Sequence, residues 1–196
     1  GCLNGFELAV RAILGQQVTV AAGRTFVQRL VDAFGEPIES PYPALNRLFP
    51  SAERIAQLNA EDLGQLGIVT QRQNAILALA KAVCNKQLNL SPSANLAETV
   101  HALHNLPGVG DWTAQYIAMR ALRWPDAFVA GDVAVQKAMG LLQHLPKLSA
   151  TKLSAAAELA SQSWRPWRSY AVMRAWSSLE KQQTEAKSNA INIIAY

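Results

Sequence analysis

Apolar residues recur at three- and four-residue spacing along most of this chain, and sustained period-two runs rich in Val, Ile and Thr are missing. The pattern predicts an all-α protein built from a succession of helices. The first is predicted to start near Asn4, an N-cap with Glu7 three positions on, and to turn Phe6, Val10, Ile13 and Leu14 toward a core. Gly15, Gln16 and Gln17 interrupt it. A second helix carries Val20, Phe26, Val27, Leu30 and Val31 and stops at Gly35, with Pro37 just beyond and Pro41, Pro43 and Pro50 marking a loop. Ser51 and Asn59 serve as N-caps for short segments ending near Leu58 and Gly67, and Thr70 opens a longer helix through Ile76, Leu79 and Val83. Leu96 to Asn105 form another. After LPGVGDWTAQYIAMRAL come a loop, WPDAFVAGD, then helices from Val133 to about Leu142, from Ala150 to about Ser161, and a last one from near Pro166. The core is expected to span residues 1–181, with a frayed polar tail over 182–196. No solenoid repeat or low-complexity block is present.

Composition narrows the function classes. With 196 residues, half of them apolar, the chain can bury a sizeable core without staples. Its two cysteines, Cys2 and Cys84, have neither a C-x-x-C partner nor a histidine at ligand spacing, which excludes a cysteine-ligated iron–sulfur cluster within this chain. No run of eighteen apolar residues and no basic-then-apolar leader occurs, so the expectation is an intracellular protein without a membrane span. A net charge of +4 suits a polyanionic partner but also many proteins that never meet one.

The most informative stretch is Leu106-Pro107-Gly108-Val109-Gly110, too short to pack anything but its own Leu106 and Val109. Two glycines one residue apart permit positive φ and leave N–H groups uncovered where the next helix begins at Asp111. Such a turn can dock a phosphate regardless of base sequence; it can also be an ordinary helix–helix connection. Asp132 follows Gly110 by twenty-two residues, and Gly131-Asp132 before Val133 reads equally as an N-cap. Trp112 and Tyr116, at i and i+4, share one helix face, as core residues or as a stacking surface.

Taken together, LPGVG-x-x-TA with the later Asp132, LNGFELAVRAILGQQVTVAA at the front and WRPWRSYAVMRAW near the end resemble the helix-hairpin-helix DNA glycosylases, in their alkylpurine branch, DNA-3-methyladenine glycosylase II. The resemblance covers nearly the whole chain. It implies two helical lobes with a DNA-binding cleft, a hairpin at Gly108, Val109 and Gly110 that grips the DNA strand, and Asp132 as the catalytic carboxylate. It also implies an aromatic pocket of Trp112, Tyr116 and Trp176, and a structural Na⁺ or K⁺ on the backbone carbonyls of His104, Leu106 and Val109. No other cofactor is implied. Gln17 stands in the turn expected to insert into the gap left by a flipped base, where this branch can carry leucine; a simple helix break is the other reading. Members often carry an additional N-terminal α+β domain, and because this chain begins inside the first matching helix region the expectation is a fragment of a longer protein from which that domain is missing.

The expected activity is hydrolytic removal of 3-methyladenine and 7-methylguanine from duplex DNA by a monomer in base excision repair. Breaking an N-glycosidic bond develops positive charge on the sugar, so a nearby carboxylate is the group required. At roughly 4 Å and an effective dielectric of about 20 it contributes about 4 kcal/mol, or about a thousandfold in rate. Related enzymes that also nick the backbone place a lysine two residues after the second hairpin glycine; here Trp112 stands there, and no lysine lies between Asn105 and Asp132. Water is therefore the expected nucleophile. The rival expectations are a glycosylase for deaminated bases and a non-catalytic helix-hairpin-helix DNA-binding module. Trp164, Trp167, Arg168 and Tyr170 are assigned to packing and a phosphate-facing element.

Overall fold

A computed structural model describes residues 1–179 and Lys181; the expected frayed tail lies outside the described residues. Among these the chain is helical, with one isolated antiparallel bridge, Pro37 to Arg47, and no strand. It divides into two compact units, Gly1–Arg123 and Trp124–Tyr196.

The first unit holds α1 (Gly5–Leu14), α2 (Val20–Phe34), α3 (Ala52–Ala56), α4 (Ala60–Gly64), α5 (Thr70–Cys84), α6 (Leu96–His104) and α7 (Asp111–Arg120). Their starts follow from polar caps. The Asn4 side chain accepts the Glu7 N–H at 3.0 Å, and Ser51 and Thr19 act likewise for α3 and α2. Asn59 and Asp62 form a reciprocal capping box at 3.0 and 2.8 Å. The helix α5 is the central strut, packed by α1, α3 and α4, while α7 packs on α1 and α6. Ile13, Leu30, Ile55, Ile76, Leu103 and Ile117 are fully buried there, so the predicted apolar faces of α1 and α5 are the ones that pack. Val20 is not among them: it is 74% exposed, because it opens α2 beyond the packed face.

The second unit contains α8 (Val133–Ala138), α9 (Leu141–His144), α10 (Ala150–Ala160), a 3₁₀ turn (Ser161–Trp164) and α11 over residues 168–179. One continuous helix from Val133 to Leu142 does not form. Gly140 adopts a left-handed conformation, φ 73°, and divides the segment into α8 and α9. The last helix begins two residues later than Pro166.

Beneath the start of α11 lies a charge cluster that pattern reading does not reveal. Asp126, 6% exposed, accepts from Arg165 at 2.6 Å and from Arg168 at 2.7 and 3.0 Å. Arg168, 4% exposed, also donates to the Asp126 carbonyl at 2.8 Å and to Glu158 at 2.7 Å. This geometry draws Arg168 inward and turns its neighbours out: Trp167 and Tyr170 are 59% and 64% exposed, not core. Trp164 does pack, edge-on against Phe128.

Burial pushes Asp126 up, but the hydrogen bonds and charge of Arg168, with the charge of Arg165, outweigh it and hold the carboxyl below its ordinary value. A depressed folded-state value means that the stability it contributes is fully present above the unfolded carboxylate value, about 3.9, and is lost as pH falls through the folded one. Asp126→Asn places an amide against Arg168 and removes the compensating charge. At neutral pH we expect a loss of about 3 to 5 kcal/mol in urea unfolding, shrinking as pH drops below the usual carboxylate range. A loss that does not vary with pH would show that charge is not what Asp126 contributes.

Candidate active site

The hairpin between α6 and α7 is a tight reversal whose apex takes φ 74° at Gly108, a conformation that side chains rarely adopt. A Cβ there would also lie 3.2 Å from the Ala75 Cβ and 3.4 Å from the Gln71 carbonyl, so the apex is pressed directly onto α5. Gly110 differs. Its backbone is extended, φ −86°, and a Cβ would meet nothing within 4 Å. Of the two glycines, only Gly108 uses positive φ; Gly110 keeps the surface at the start of α7 bare. Among the described residues the N–H groups of Gly108 and Gly110 have no hydrogen-bond acceptor, and Val109 is buried beneath them.

The carbonyls named for an alkali ion suit a hard cation in kind. Among the described residues those of His104 and Val109 accept no hydrogen bond, and that of Leu106 accepts one long bond, 3.3 Å, from Val109. The His104 ring lies 3.8 Å from the exposed Asp111 carboxylate.

Two further predicted residues stand on α7. Trp112 and Tyr116 stack with ring centroids 5.2 Å apart and planes only 6° from parallel, and both are half-buried. Helical spacing brings the two rings together, and Tyr116 also packs against the core of the first unit. Gln17 lies in the turn between α1 and α2, exposed and in the left-handed region at φ 52°. Its neighbour Gln16 was not singled out by sequence, yet its side chain reaches the hairpin, donating to the Gly108 carbonyl at 3.0 Å and to Thr113 at 2.8 Å.

In the second unit Asp132 is the N-cap of α8, as its sequence context suggested. Its Oδ1 accepts the Val135 N–H at 2.8 Å and the Trp176 indole N–H at 3.1 Å. The Trp176 indole N–H thus helps to hold the carboxylate in place. Nothing in the sequence indicates which atom its indole reaches across forty-four residues. Among the described residues no group of three His, Cys, Asp or Glu side chains could hold a metal, and no helix is long and apolar enough to cross a membrane.

An all-helical scaffold with a glycine hairpin opening α7 and a capped carboxylate opening α8 defines a class, and the comparisons agree. The chain belongs to the HhH-GPD superfamily of base excision DNA repair proteins, whose pattern matches residues 10–166. It is 41% identical over 174 residues to the probable bifunctional transcriptional activator/DNA repair enzyme AlkA of Mycobacterium tuberculosis, covering 89% of this chain and 33% of that protein. To DNA-3-methyladenine glycosylase 2 of Escherichia coli it is 32% identical over 186 residues, 95% of this chain and 62% of the relative. The solved 3-methyladenine DNA-glycosylase from Archaeoglobus fulgidus superposes with a TM-score of 0.67 at 25% identity, over 86% of this chain and 56% of that one. The chain spans less than two-thirds of the length of each of these proteins.

The two glycines make separable demands. Gly108→Val forces a β-branched side chain into a left-handed, crowded position and should lower stability by about 2 kcal/mol or more. Gly110→Val should cost no more than about 1 kcal/mol, the loss when a poor N-cap replaces glycine. Equal losses in chemical denaturation would contradict the distinction.

Proposed function

We propose that this chain is a monofunctional DNA glycosylase of base excision repair, hydrolysing the N-glycosidic bond of alkylated purines, 3-methyladenine and 7-methylguanine, in duplex DNA. The observation that carries this reading is the Asp132 carboxylate, fixed at the start of α8 by two N–H donors on one oxygen. A carboxylate held in this way needs little reorganisation when positive charge appears beside it. The C1′–N bond breaks with its electron pair leaving on the base, the sugar becomes an oxocarbenium ion opposed by Asp132, and a water oxygen bonds to C1′. The water proton passes to the carboxylate or to solvent. A ring-methylated purine already carries positive charge, so it leaves as a neutral base without a dedicated acid.

The parallel rings of Trp112 and Tyr116 supply the electron-rich face that a cationic base prefers, worth about 0.5 to 2 kcal/mol. The uncovered N–H groups of Gly108 and Gly110 suit a phosphate, a contact blind to base sequence. An alkali ion bound to the carbonyls of His104, Leu106 and Val109 would supply positive charge on that side of the hairpin. Exposed and left-handed, Gln17 is suited to enter the gap beside a flipped nucleotide. The relatives named for 3-methyladenine support the substrate class, and Trp112 at the position of the strand-nicking lysine supports simple hydrolysis.

Mass spectrometry of bases released from methylated genomic DNA tests the reading. Free 3-methyladenine and 7-methylguanine are expected; release of deaminated bases alone would mean another lesion class, and duplex binding without release would mean a binding module. Asp132→Asn preserves capping and removes charge, so single-turnover excision at saturating enzyme should fall at least about a hundredfold while duplex affinity survives. Near wild-type excision would place the catalytic group elsewhere. Borohydride treatment during turnover should trap no covalent protein–DNA adduct; a trapped adduct would establish an amine nucleophile and overturn the hydrolytic assignment.

A further inference from the structure

We infer that Gln16 is a positioning residue that joins the Gln17 turn to the hairpin, so that strand grip and gap insertion act as one rigid part. The inference rests on the reading that the hairpin holds phosphate and Gln17 enters the duplex.

Gln16 follows the last turn of α1, where its own N–H is spent on the Ile13 carbonyl at 3.2 Å. Its side chain then crosses ninety-two residues of sequence to donate to the Gly108 carbonyl at 3.0 Å, and ninety-seven to reach the Thr113 hydroxyl at 2.8 Å. A carbonyl oxygen can only accept, so the amide nitrogen is the end that must face Gly108. Because a peptide is planar, fixing the Gly108 carbonyl also fixes the Val109 N–H on the other side of the same unit. The bond to Thr113, 2% exposed, ties the same amide to the first turn of α7. A Cβ on the hairpin apex at Gly108 would crowd Ala75 and Gln71 of α5. The apex is therefore restrained both by its close approach to α5 and by hydrogen bonds from Gln16.

The backbone of Gln16 is held in turn. Arg72 of α5 donates to the Gln16 carbonyl, and its guanidinium lies over the Phe26 ring of α2 at 6.0 Å. The Gln16–Gln17 peptide is thus fixed by its oxygen immediately before the residue at φ 52°. A non-glycine residue persists in that region only where its surroundings over-determine it. Here the restraint is Gln16, clamped at its side chain by the hairpin and at its carbonyl by Arg72. The hairpin peptide that lies between the two bare glycine amides and the turn that presents the exposed Gln17 are therefore both tied to one residue that need not touch DNA itself.

A double-mutant cycle separates this from a merely structural role. Gln16→Glu keeps size and shape and removes both donors; Gln17→Ala removes the inserting side chain. Wild type, both single variants and the double variant are compared for single-turnover excision of 7-methylguanine at saturating enzyme, for affinity to undamaged duplex, and for urea unfolding. Gln16→Glu is expected to weaken duplex affinity about tenfold, the scale of two lost hydrogen bonds. Gln17→Ala should slow excision about tenfold in the wild-type background and less than about twofold when Gln16 is already changed. Independent, multiplying effects on excision would overturn the inference, because a residue that only stabilises the fold does not erase the effect of its neighbour. If Gln16→Glu is too unstable to assay, Gln16→Asn, which keeps both donors one methylene short, is carried through the same cycle and must show the same loss of the Gln17 effect. If Gln17→Ala is silent in the wild-type background while Gly110→Val still weakens duplex binding, the insertion reading fails and the inference falls with it. If wild type excises nothing, it is the proposed activity that has failed.

Discussion

Two opposed demands meet at the apex between α6 and α7. To receive an anion on main-chain N–H groups, the turn must be stripped of side chains; to hold its shape without them, it must be braced from within. Gly108 suits both because its left-handed conformation favours a residue without a side chain, and a Cβ at that point would lie only 3.2 Å from that of Ala75 on α5. The brace belongs to the core of the first unit, since Ala75 and Val109 both lie in its buried cluster. Packing of α5 thereby sets where the amides at the start of α7 lie and, through Gln16, how the turn after α1 is presented.

The carboxylate at the start of α8 rests on a similar economy. An N-cap must project its oxygen at the first free amides of its helix, which fixes both rotamer and backbone. Asp132 is thus ordered by the secondary structure it starts, and the Trp176 indole adds a second donor from α11. The group that caps α8 is also the carboxylate proposed to act. Fixed dipoles around a carboxylate are what allow it to act on a developing cation without first rearranging.

Much of this was legible in the chain because it is governed locally. Helix starts at Asn4, Ser51 and Asn59 are side-chain capping, and the apolar faces of α1 and α5 are periodicity. The stacked pair Trp112 and Tyr116 follows from four-residue spacing. What escaped depends on contacts between distant segments. Arg168 in WRPWRSY carries no sign that Asp126 will bury it, and without that fact Trp167 and Tyr170 read as core. The break at Gly140 was missed because a single glycine inside an apolar run is usually tolerated. Gln16 and Gln17 look alike on the page, yet one turns inward to the hairpin and the other outward to solvent.

The buried cluster beneath α11 also bears on how the molecule meets its surroundings from a distance. Arg165 and Arg168 are matched by Asp126 and Glu158 within hydrogen-bond or ion-pair range, so the four charges cancel and project almost no field. The whole excess of +4 therefore resides on the remaining residues, where water and salt can reach it. Electrostatic capture of a polyanion should weaken as counterions accumulate, while the buried Asp126–Arg168 pair at the centre of the cluster is screened much less and keeps its hold on the second unit. Fold integrity and long-range attraction are thus carried by different sets of charges, and ionic strength can tune one while leaving the other nearly untouched.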